Sequence, residues 1–97
     1  MDSALNRTLQ ALTDPTRREI LRMLGKRDMN AGDIAAGFSL SLPSVSHHLS
    51  VLKNAELVSA ERRGQNIVYS LNATVAQETV AAVMALFKVG ATARAKE

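Results

Sequence analysis

Residues 30–55 read NAGDIAAGFSLSLPSVSHHLSVLKNA, and two helix starts lie within them on either side of a short turn. Asn30 can cap the first, with Asp33 three residues on in capping-box register, and Ile34, Ala35 and Phe38 supply its apolar face. Ser39-Leu40-Ser41 makes the turn. Ser41 and Pro43 then open a longer helix that runs to about Ala55. Along it Val45, Leu49 and Leu52 recur at i, i+4 and i+7, so they face a core. At about 100° per residue the opposite arc carries Pro43, Ser46, His47, Ser50 and Asn54, with Ser44 and Val51 at its edges. Two helices in this arrangement have the proportions of a helix-turn-helix.

On the N-terminal side, Leu5, Leu9 and Leu12 mark one face of a helix that Ser3 could cap, and Thr13-Asp14-Pro15 interrupts it. Asp14 suits an N-cap and Pro15 the first helical position, so a second helix starts there, with Ile20, Leu21 and Leu24 inward and Gly25 near its end. On the C-terminal side the period changes. Leu57 to Arg63 and Asn66 to Leu71 are two β-like runs, and in the second Ile67, Tyr69 and Leu71 alternate with Val68 and Ser70 as in a half-buried strand. Between them Arg63-Gly64-Gln65-Asn66 reads as a hairpin turn in which Gly64 is free to take positive φ. A last helix covers about Thr74 to Val89, and residues from Gly90 onward look frayed. The expected fold is mainly α with a small β-hairpin. It is a winged helix-turn-helix in the order α-α-α-α-β-β-α, one domain over residues 1–97, with the helix-turn-helix at about 30–55 and the wing at about 57–71.

Composition agrees with packed helices. Of 97 residues, 46% are hydrophobic but only 3% aromatic, which disfavours a sandwich or barrel. The absence of Cys excludes disulfides and thiolate metal sites. No apolar run approaches the roughly 20 residues that span a bilayer. Met1 to Arg7 lacks the basic-then-apolar order of a secretory signal, so a cytoplasmic protein without membrane insertion is expected. A net charge of +3 suits nucleic acid but does not decide for it.

The arc opposite Val45 and Leu49 carries the chemistry. A recognition helix presents its N-terminal residues to base edges in the major groove, which selects Ser44, Ser46 and His47 and leaves Ser50 and Asn54 for phosphates. A merely solvated helix face carries the same residue types. The hairpin tip adds Arg62, Arg63, Gln65 and Asn66, suited to phosphate clamping or the minor groove, or else to a solubilising turn. His47 and His48 point about 100° apart and cannot share an ion. With no other His and no Cys, neither a metal nor a cofactor is expected, and His48 is placed inward as a hydrogen-bonded packing residue. Arg17 and Arg18 could each touch a phosphate or pair with Asp14 or another acid; the structural pairing is favoured for Arg17, and Arg18 is left open. Val80 to Phe87 is apolar almost all the way round, more than a chain this short can cover. A homodimer interface is expected through Val80, Val83, Met84 and Phe87, shared with Leu5 and Leu9, so helices at about 3–12 and 74–89 are the dimerisation elements.

The run Ser44-Val45-Ser46-His47-His48-Leu49, followed by Leu52-Lys53 and Leu57-Val58, resembles the ArsR/SmtB family of dimeric bacterial repressors. Ala11 to Leu21 is similar to that family's second-helix signature, and Gly64-Gln65 with Tyr69-Ser70-Leu71 to its wing. Met29 to Ala35 most resembles the SdpR-like autorepressors within it. The resemblance implies a dimer built by the first and last helices, with Ser44, Ser46 and His47 reading the major groove of double-stranded operator DNA and the wing reaching the flanking backbone. Metal-sensing members carry a Cys-x-Cys pair where this chain has Asn30 and Gly32, or Asp and His ligands on the last helix, where this chain has neither. What is implied is a sequence-specific repressor without a metal response, acting on a pseudo-palindrome, autoregulatory in type and relieved, if at all, by a protein partner. An interaction module for a membrane or signalling partner is the alternative, and the polar arc with the wing arginines argues against it as the sole role. No constellation of nucleophile, base and orienting acid points to an enzyme.

Overall fold

Four helices begin where a short polar side chain takes over an N–H group that the helix itself leaves unsatisfied. The computed structural model describes residues 3–87. After α1 (Ser3–Ala11), Asp14 Oδ2 accepts from the Arg17 N–H at 3.0 Å and opens α2 (Pro15–Leu24). Asn30 Oδ1 accepts from the Asp33 N–H at 2.7 Å and opens α3 (Ala31–Ala36), and Ser41 Oγ accepts from the Ser44 N–H at 3.3 Å and opens α4 (Leu42–Asn54). The fourth cap, Asn72 before α5 (Ala73–Leu86), starts that helix one residue earlier than the expected Thr74. Ser3 is not a cap, because it already lies inside α1. The expected extension of α5 to Val89 and the frayed segment from Gly90 fall outside the described residues.

The wing consists of β2 (Val58–Arg63) and β3 (Asn66–Leu71), antiparallel from Val58 opposite Leu71 to Arg63 opposite Asn66. That register leaves a two-residue loop, Gly64-Gln65. Gly64 takes φ 63° and Gln65 does not, which is the type II′ pattern matched to strand twist. A strand absent from the expected order, β1 (Met29–Asn30), pairs Met29 with Tyr69 and Asn30 with Val68, giving the sheet order β1-β3-β2. Two residues carry no readable alternation, so no periodicity could announce it. β3 is therefore central, and the expected alternation along it is not expressed. Val68, Tyr69, Ser70 and Leu71 are all half-buried because cross-strand neighbours shield either face, and Ile67 is exposed near the projecting tip.

The core gathers Ile20 from α2, Ile34 from α3 and Val45, Leu49 and Leu52 from α4, with Leu57 and Val58 closing it at the wing root. α1 joins chiefly through buried Thr8 and Ala11, with half-buried Leu12 just beyond it packed against the core and Leu5 also half-buried. Of the three leucines only Leu9 is exposed. α4 ends in a Schellman turn, with the Leu57 N–H donating to Leu52 O at 3.1 Å and the Glu56 N–H to Lys53 O at 2.9 Å. Glu56 sits there at φ 63°, in the left-handed region where glycine is the usual occupant.

Candidate nucleic-acid interface

The core holds α4 by Val45, Leu49 and Leu52, and this turns the other side of the helix to solvent. Ser44, Ser46, His47, Ser50 and Asn54 are all exposed, and their side chains make no hydrogen bond to other described residues. The polar arc is therefore one surface of donors and acceptors. The cap at Ser41 uses the Ser44 N–H and leaves the Ser44 hydroxyl outside.

His48 turns inward as expected, with its side chain 17% exposed. Its Nδ1 lies 3.3 Å from Arg17 Nη1 and 3.9 Å from Asp14 Oδ2. A guanidinium only donates, so Nδ1 is the acceptor and His48 carries its proton on Nε2 in this arrangement. Arg17 departs from the expected acid pairing. Its Nε donates to Ala11 O at 2.8 Å and Nη2 to Gln10 O at 3.3 Å, at the end of α1. Ala11 O gains a charged donor in this way, whereas Gln10 O also accepts from the Thr13 N–H at 3.1 Å and the Thr13 hydroxyl at 2.7 Å. Arg18 takes the neighbouring Leu12 O at 2.6 Å. The Arg17 backbone N–H holds the Asp14 carboxyl below its ordinary pKa, against a smaller opposing effect of burial, and the Arg17 charge adds to the lowering.

At the wing tip Arg62, Arg63, Gln65 and Asn66 are exposed, but the two arginines differ. Arg63 donates from Nε and Nη2 to Glu61 Oε1 at 3.2 and 3.0 Å, and its Nη2 lies 3.9 Å from Asp28 Oδ2, just before β1. Arg62 makes no ion pair among the described residues, which leaves its guanidinium available to a phosphate. The sequence reading treated the two alike. Residues two apart share a strand face, so the Glu61–Arg63 pairing was legible, whereas the reach to Asp28 depends on the unforeseen β1.

The apolar part of α5 is left open. Val80 and Phe87 are 59% and 68% exposed, Met84 and Leu86 are exposed beside them, and Ala76, Gln77, Val80, Ala81 and Met84 line a shallow groove. Val83 and Leu5, expected in the same interface, are half-buried within the chain, where α1 packs on α5. Among the described residues no three His, Cys, Asp or Glu side chains gather as a metal-holding group, and no helix is long and apolar enough to cross a membrane.

The family model for bacterial regulatory proteins of the arsR family matches residues 14–60, from the α2 cap to the wing. The transcriptional repressor SdpR of Bacillus subtilis is 54% identical over 76 residues, which cover 78% of this chain and 84% of SdpR. The arsenical resistance operon repressor of Staphylococcus xylosus is 38% identical over 68 residues, 70% of this chain and 65% of that repressor. Among solved structures, the homodimeric winged helix-turn-helix DNA-binding domain of Mb0332 from Mycobacterium bovis superposes with a TM-score of 0.73 at 26% identity, over 88% of this chain and 80% of that one.

Proposed function

Since the chain belongs to the arsR family of bacterial regulatory proteins and is a DNA-binding transcriptional repressor of that type, we propose that it acts in the cytoplasm as a homodimer on a pseudo-palindromic operator. In this reading Ser44, Ser46 and His47 meet base edges in the major groove, and Ser50 and Asn54 meet phosphates. Arg62, Gln65 and Asn66 reach the flanking backbone from the wing, with Arg63 behind them. The observation that carries it is the α4 surface: a buried apolar side fixes the helix while the side chains of the polar arc keep their hydrogen-bonding capacity for a ligand. Unread polar groups of both kinds along a helix that sits proud of the core match the donors and acceptors of base edges.

In this reading the dimer rests on α5, with Leu9 of α1 beside it. Exposed Val80, Met84, Leu86 and Phe87 form the kind of apolar surface that a two-fold copy covers with itself. Two recognition helices related by that axis require half-sites about one helical turn, ~10 bp, or a multiple of it apart. Asn30 and Gly32 offer no thiolate, so release from DNA is assigned to a protein partner and not to a metal.

A mobility-shift titration of the chain against the DNA upstream of its own gene, at moderate salt with scrambled DNA of equal length as reference, tests the reading. Retention of the upstream fragment at protein concentrations that leave the scrambled fragment free is expected. Equal affinity for both would reject a specific repressor, because phosphate contacts alone supply non-specific binding.

A further inference from the structure

We infer that Arg17 is a positioning residue for operator recognition, fixing the roll of α4 against α1 through His48. The inference deepens the reading of α4 as the recognition helix and rests on it. Arg17 reaches three helices at once. It belongs to α2, its Nε and Nη2 hold Ala11 O and Gln10 O at the end of α1, and its Nη1 holds His48 Nδ1 on α4. It is half-buried, and its bonds to Ala11 O and His48 Nδ1 are partly shielded from water, while the bond to Gln10 O is exposed.

What Arg17 adds is direction. Val45, Leu49 and Leu52 set which side of α4 faces the core, by apolar contact that is non-directional. A hydrogen bond weakens steeply as its angle opens, so the Arg17–His48 bond resists rotation of α4 about its own axis. His47 is the next residue along, and Ser44 and Ser46 lie within the same turn. Any roll permitted at His48 is passed to all three. At the other end, the bonds to α1 refer that roll to the helix that carries exposed Leu9, assigned above to the second copy. One guanidinium thereby relates the face that reads DNA to the face that sets the two-fold axis. Asp14 completes the cluster by accepting the Arg17 N–H and standing 3.9 Å from His48 Nδ1.

Three variants separate positioning from other roles. Arg17→Lys keeps the charge but replaces a fork with a point donor that cannot bond to all three acceptors. His48→Leu removes the acceptor at similar volume, whereas His48→Asn places an oxygen near the Nδ1 position. Two measurements are made on each, at a protein concentration where sedimentation shows wild-type oligomer content. The first is the ratio of affinities for operator and scrambled DNA, with the salt slope of each. The second is the orientation of α4 relative to α1 from residual dipolar couplings of the free protein. Arg17→Lys and His48→Leu are expected to lower the affinity ratio by about tenfold, the scale of one hydrogen bond to a charged group, with the scrambled-DNA affinity and both salt slopes unchanged. Both should also reorient α4, and His48→Asn should restore both readouts.

Equal losses on operator and scrambled DNA, with a smaller salt slope, would make Arg17 a phosphate contact and overturn the inference. So would a wild-type ratio and wild-type couplings in Arg17→Lys, or a loss confined to thermal stability. If wild type itself shows no operator preference, the recognition reading fails. The couplings then still decide the geometry, since an unchanged α4 orientation in Arg17→Lys and His48→Leu rejects the latch without reference to DNA.

Discussion

Glu56 shows how far a single residue can depart from its local preference when the turn around it is fixed. The Schellman bonds at the end of α4 require a left-handed residue at position 56, and the buried pair Leu52 and Leu57 on either side holds the turn in place. An L-residue in that region costs roughly 1–2 kcal/mol, and glycine avoids it at an entropic cost of about 0.5–1 kcal/mol. Glu56→Gly is therefore expected to stabilise the fold by about 0.5–1 kcal/mol, read as a rise of a few degrees in thermal melts at fixed protomer concentration. Asp14 gives the opposite kind of dependence. Its folded pKa is depressed, so its contribution to stability is present above the unfolded carboxylate pKa and is lost as pH falls through the lower folded value. Denaturant titrations from neutral to strongly acid pH should show this loss. Asp14→Asn, which keeps a capping oxygen, should flatten that part of the profile.

At the scale of elements, the wing is a braced hairpin in which Arg62 is unpaired among the described residues. Arg63 is tied to Glu61 on its own strand and lies near Asp28 across the sheet, while Arg62 has no such partner among the described residues. A phosphate must displace these acids to recruit Arg63 and displaces none to recruit Arg62. Arg62→Ala is therefore expected to weaken operator binding more than Arg63→Ala, with a salt slope smaller by about one unit, measured by titration across salt concentrations. Similar losses in the two variants would mean that the brace opens on DNA.

For the whole molecule, the decisive feature is the open side of α5. The chain's own helices bury Thr79 but leave Val80, Met84, Leu86 and Phe87 in solvent. Val80→Glu with Met84→Glu should give a folded monomer in sedimentation velocity, since neither side chain supports the core of its own chain. Operator affinity should fall steeply with it, because one half-site then binds without the other. A dimer that survives both charges would place the interface elsewhere.

The helix starts at Asp14, Asn30 and Ser41, the inward set Val45, Leu49 and Leu52, and the hairpin turn at Gly64 were legible in the amino-acid sequence. Each of these is a local matter of capping, periodicity or allowed φ, legible within a few residues. The sequence also separated outward His47 from inward His48, because helical geometry alone fixes the angle between neighbours. The rest waited on the packing of the helices. The edge strand Met29–Asn30, the role of Arg17 at the end of α1, the reach of Arg63 to Asp28 and the burial of Thr8 and Ala11 on α1 all depend on groups far apart in the chain. Such pairings follow from how the helices pack, and packing leaves no period in a short stretch of sequence.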